Sequence, residues 1–142
     1  MNRKTVVAVI ALALALVFAA VSQTPASPKH HVVFQLSEAQ GPAWDSVVRH
    51  VNNLRDAFAK DGGAQVEVVF FGPGLNMLRV TNTEYQERLK KLSDNGVTLS
   101  ACQNAMKAMN VKTEDLFPFA TQVDSGVAQL ARRQEAGWAY IH

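Results

Sequence analysis

Apolar and polar positions alternate in blocks along this chain, and the blocks change period from two to between three and four. Val32 to Leu36 (VVFQL) is a short β-branched and aromatic run that predicts a strand. Glu38 to Pro42 is polar and ends in Gly-Pro, a loop. From Trp44 onward, Val47, Val51, Leu54 and Phe58 recur on one face of a helix, with Arg49, Asn52, Asn53 and Asp56 on the others. Asp61-Gly62-Gly63 stops that helix, because glycine adopts the positive φ a helix C-terminus needs.

Val66 to Phe71 (VEVVFF) predicts a second strand, nearly all apolar, as expected of a strand covered on both faces. Gly72-Pro73-Gly74 breaks it, and Leu75 to Val80 reads either as a helical turn or as an extended piece. Thr83-Glu84-Tyr85-Gln86 has the spacing of a capping box and introduces a helix with Tyr85, Leu89 and Leu92 inward. Val97 to Ala101 is the third predicted strand, followed by a short helix over Gln103 to Met109 and a turn over Thr113 to Phe117. Phe119 to Val123, a helix over Ser125 to Glu135, and a last strand from Trp138 to Ile141 complete the series. About five strands separated by helices predict an α/β fold, a three-layer α/β/α sandwich on a mostly parallel sheet, since parallel neighbours require crossovers.

The first residues read as an address. Met1 to Lys4 carries two positive charges, Thr5 to Val21 runs seventeen residues without a charge, and Gln23 to Lys29 is polar with two prolines. That order is the layout of a secretory signal. Ala20 and Ser22 place cleavage after Ser22, with Ala26 a later alternative. The expected organisation is a signal peptide over 1–22, a linker over 23–30 and one α/β domain over 31–142, in the periplasm or secreted. The alternative is a retained N-terminal anchor, the one way the chain would meet a membrane; seventeen helical residues reach about 26 Å.

Charge then narrows the partners. The chain has 14 Lys+Arg and 12 Asp+Glu, formally +2, but Arg3 and Lys4 belong to the address and the remainder balances at zero. Nucleic-acid binding therefore lacks its electrostatic basis. One cysteine, Cys102, excludes an internal disulfide. It falls between a strand and a helix. In a parallel sheet the carboxyl ends of strands form the ligand-facing edge, and the start of the next helix offers unpaired N–H groups that stabilise a thiolate. Free cysteine is also among the most frequently buried residues, so inert packing stands beside reactivity. Reactivity requires a sulfur reachable from the strand edge rather than sunk in the apolar interior.

Other candidates are weaker. Ser100 lacks the glycines of a nucleophile elbow. Asn104 either bonds near the thiol or faces water, and Gln103 stands directly after the cysteine. Gly72 and Gly74 lack the Lys-Ser/Thr of a phosphate loop, so a turn of special geometry is the better reading. Adjacent His30 and His31 point to opposite faces if extended, which argues against a shared metal. Arg132-Arg133 reads as a solvated helix end, and no cofactor or metal is expected.

Three stretches together resemble the DsrE/DsrF-like proteins. They are Gly96-Val97-Thr98-Leu99-Ser100-Ala101-Cys102-Gln103-Asn104-Ala105-Met106, Val68-Val69-Phe70-Phe71-Gly72-Pro73-Gly74-Leu75, and the ending from Val123-Asp124-Ser125-Gly126-Val127 to Gly137-Trp138-Ala139-Tyr140-Ile141. The likeness spans about His31 to His142. It implies a small α/β domain assembling into homotrimers or homohexamers. It also implies that Cys102 accepts sulfane sulfur as a persulfide from a donor protein or molecule and hands it on, as a carrier or redox-active thiol rather than a turnover enzyme. The alternative is a non-catalytic oligomeric binding or assembly module in which Cys102 only packs.

Overall fold

In the computed structural model the described residues are 27–142, so the proposed signal segment lies outside them. β1 (His30–Leu36) leads through α1 (Pro42–Phe58) to β2 (Ala64–Phe70). A 3-10 segment (Gly72–Leu78) and α2 (Thr83–Asp94) lead to β3 (Thr98–Cys102), and α3 (Gln103–Ala108) with a 3-10 turn (Thr113–Asp115) leads to β4 (Thr121–Val123). α4 (Gly126–Glu135) and β5 (Ala139–Ile141) close the chain. No helix among the described residues is long and apolar enough to cross a membrane.

The five strands lie in the order β4-β3-β2-β1-β5, with every neighbouring pair parallel. The α/β fold expected from the sequence is therefore the observed one. Its two helical layers are unequal. The three crossovers from β1 to β4 all step in one direction, so right-handed connection puts α1, α2 and α3 on one face. The step from β4 to β5 returns across the whole sheet and puts α4 alone on the other. The large core accordingly joins Val32, Phe34, Val66, Val68, Phe70, Leu99 and Ala101 to Trp44, Val51, Leu89 and Met106. The α4 side has a small cluster of Val33, Val69 and Leu130, flanked by Phe71 and Trp138.

Local departures from the sequence reading have identifiable causes. The Thr83–Gln86 capping box does not form: Thr83 is already helical, and Asn82 occupies the cap without a side-chain bond. The stretch from Leu75 resolves as a 3-10 segment because Gly74 must lie against the end of β1, where an added Cβ would stand 2.3 Å from the Leu36 carbonyl oxygen. The fourth strand begins at Thr121, not Phe119, whose ring stacks on Phe117 in the preceding turn. His30 and His31 do diverge, one stacking on Phe58 of α1 and the other meeting Trp138 on the α4 side.

Candidate functional site

Cys102 is the last residue of β3 and the N-cap of α3. Strands β3 and β4 are neighbours, yet the helix after β3 packs on one face and the helix after β4 on the other. This is the switch point at which an open α/β sheet leaves a crevice beyond its strand ends. The cysteine stands at this point. Its Sγ accepts the backbone N–H of Ala105 at 3.4 Å, from the first turn of α3, and that of Gly126 at 3.1 Å, from the first residue of α4. Both donors are helix-terminal N–H groups with no intrahelical partner, so one side chain satisfies an orphan on each helix. Their positive ends converge on the sulfur, a geometry suited to negative charge there.

Close packing makes the second bond. Gly126 is buried, and a Cβ built on it would lie 3.0 to 3.2 Å from side-chain atoms of Phe71, so glycine lets α4 reach the strand ends. Ser125 caps the same helix through its side chain, which accepts the Ala128 N–H. Cys102 itself is 5% exposed, among the buried residues. The edge position expected from the sequence holds, but the sulfur is covered rather than open: the N-terminus of α4, invisible in the local sequence, lies on it.

The supporting candidates separate. Gln103 and Asn104 are exposed at the start of α3; the Gln103 amide donates to Gln122 of β4 at 3.3 Å, and neither reaches the sulfur. Gly72 and Gly74 sit at the end of β2 and tie it to β1, through the Gly74 N–H on the Ser37 carbonyl at 3.2 Å. Ser100 is 1% exposed and shares the face of β3 that carries Cys102, but its hydroxyl belongs to another group.

That group is Glu67, which the sequence reading passed over inside an apolar strand. It is 1% exposed, in the middle of the sheet. Oε1 accepts the Ser100 hydroxyl at 2.6 Å and the Gln129 amide at 3.0 Å; Oε2 accepts the same amide at 3.2 Å and pairs with Nε of Arg133. The Arg133 guanidinium also lies over the Trp138 ring, 4.2 Å from its centroid. Arg133 is therefore no solvated helix end; only Arg132 behaves so, in an exposed two-bond pair with Asp124. The sequence signal for Glu67 was a single acid in VEVVFF with complementary Gln129 and Arg133 one helical turn apart. Among the described residues no three His, Cys, Asp or Glu side chains group as a metal site.

The profile of the DsrE/DsrF-like family matches residues 9–142. A solved structure described as a protein of unknown function, MTH1491, from Methanobacterium thermoautotrophicum is 34% identical. The match covers 80% of this chain and 98% of that one, with a TM-score of 0.69. No curated protein matches.

Proposed function

This chain belongs to the DsrE/DsrF-like family, and from that premise we propose that it handles sulfane sulfur, with Cys102 as the acceptor. The carrying observation is the sulfur held at the β3–β4 switch point by the N–H groups of two helices. In the transfer, the Cys102 thiolate attacks the sulfane sulfur of a donor persulfide. A new S–S bond forms at Cys102, the donor's own S–S bond breaks, and the donor leaves as its thiolate. Reversal onto an acceptor thiolate discharges the protein, so no net oxidant or reductant is consumed. The N–H pair favours negative charge on Cys102 both when it attacks and when it leaves.

The layout of residues 1–22 supports placing this chemistry outside the cytoplasm, and the family likeness supports a trimer or hexamer. Exposed Val127 and Tyr140 on the thinly covered α4 side offer apolar surface for a second copy. The 5% exposure of Cys102 supports the rival reading, a binding or assembly module with an inert thiol. Intact mass after incubation with inorganic polysulfide separates the two. The expected result is an adduct of one sulfur atom, reversed by a small thiol and absent in Cys102→Ser. Absence of the adduct, or its persistence in Cys102→Ser, ends the carrier reading.

A further inference from the structure

Glu67 is a charge on the central part of the sheet, on the face where apolar Val33, Val69 and Leu130 already pack. A buried ion pair is weak support for stability, because well-packed apolar side chains do as well in the same space. What ionic and hydrogen-bonding contacts add is a defined position. α4 needs one, since Leu130 is its one buried large apolar side chain and Val127 is 64% exposed. Gln129 and Arg133 both close on the Glu67 carboxylate, so all its oxygen positions are directed at α4 except the bond from Ser100.

We infer that Glu67 is a positioning residue for Cys102: its carboxylate pins α4 to the sheet so that the Gly126 N–H is delivered onto the sulfur. Gly126, Gln129, Leu130 and Arg133 lie along one stripe of the helix, at the spacing that shares a face. The end of that stripe donates to Cys102 and the remainder grips Glu67. Through Ser100, Glu67 also holds the strand that carries the cysteine, two residues before it on the same face. One carboxylate thus fixes both partners of the N–H···S contact. Its bearing on sulfur transfer rests on the proposed role of Cys102; the pinning itself does not.

The test compares the Gly126 and Ala105 amides in the full ¹⁵N-labelled chain by hydrogen exchange. Both donate to Cys102, but only Gly126 rides on the pinned helix. Glu67→Gln and Arg133→Met should each speed Gly126 exchange by at least about tenfold, while Ala105 stays within about threefold. Arg133→Lys, which keeps a cation within reach, should lie nearer wild type than Arg133→Met. Should either single variant fail to fold, the paired change Glu67→Gln with Arg133→Met, which leaves no buried charge without its partner, decides by the same two amides. An unchanged Gly126 amide, a response to only one of two folded variants, or equal acceleration of both amides would overturn the inference. Polysulfide loading plays no part in this readout, so failure of the carrier reading and failure of the pin are told apart.

Discussion

Gly74→Ala should be among the most damaging single-methyl additions to this domain. The new Cβ would stand 2.3 Å from the Leu36 carbonyl oxygen, 2.7 Å from its carbon and 3.1 Å from Ser37 Cα. All three are backbone atoms, so no rotamer change relieves the overlap. The same Leu36 oxygen accepts the Phe71 N–H at 3.2 Å, and β1 is locked to β2 through the register ending at Leu36 and Phe70. Moving it aside therefore combines overpacking, about 1–3 kcal/mol, with a weakened buried hydrogen bond of about 1 kcal/mol. A total near 3 kcal/mol, spread over the unfolding entropy of the 116 described residues, lowers Tm by roughly 12 °C. Gly63→Ala is the control. Its φ is +77° and nothing lies within 4 Å of the added carbon, so it bears only the left-handed penalty, about 1 kcal/mol or roughly 4 °C. Circular dichroism melts of both variants check the ranking. A Gly74→Ala protein that melts no lower than Gly63→Ala would refute the close-approach reasoning.

Two further outcomes follow from the same geometry. Cys102→Ala strips the acceptor from the Ala105 and Gly126 N–H groups and should cost about 1–3 kcal/mol in urea unfolding, whereas Cys102→Ser keeps an acceptor and should cost less; equal losses would show that packing volume, not the N–H bonds, sets the effect. The Arg132 guanidinium, helped by the Ser125 N–H, holds the Asp124 carboxyl well below the usual carboxylate range. A carboxyl depressed in the folded chain contributes stability that is complete above its ordinary 3.8 and is lost as pH falls from there through its folded value. Asp124→Asn should therefore lower Tm modestly at neutral pH, an exposed pair being screened, and converge on wild type as pH falls below about 4, which flattens the acid limb; an identical acid limb would contradict the assignment.

What the sequence reveals and what it conceals divide by the range of the interactions. The inward faces Val47–Val51–Leu54–Phe58 and Tyr85–Leu89–Leu92 are set by periodicity within single helices; Val47, Val51, Tyr85, Leu89 and Leu92 are buried, and Leu54 and Phe58, toward the end of α1, are half-buried against the same core. The strands are legible for the same reason, with ends displaced where a residue's neighbour is not its sequence neighbour. Glu67 escaped because its partners lie 33, 62 and 66 residues away. A lone acid between valines looks like a breach of an apolar pattern until Ser100, Gln129 and Arg133 converge on it. Arg133 was misread as its mirror image, a helix-end cation whose partner could not be seen. The cysteine was half legible: the helix that follows it is local, but the Gly126 N–H comes from 24 residues on and requires the topology to be known.

Burial of the sulfur and reactivity of the sulfur are compatible if the cover is the part of the fold that opens most easily. The cover in question is the first turn of α4. Beyond the Glu67 pin it is held by the Ser125 cap, by Gly126 against Phe71 and by the bond to Cys102, while Val127 points into solvent. Detaching that turn exposes little apolar surface, whereas releasing β3 would disrupt the main core. Local opening exposes too little area to depend on denaturant, and global opening depends on it steeply. Alkylation of Cys102 by iodoacetamide should therefore proceed at a rate insensitive to urea at low concentration, then rise in parallel with global unfolding near the midpoint. A rate that climbs from the first addition of urea with the slope of global unfolding would mean the sulfur is reached only when the domain unfolds. In that event Cys102 serves as the cap of two helices and not as a site of transfer.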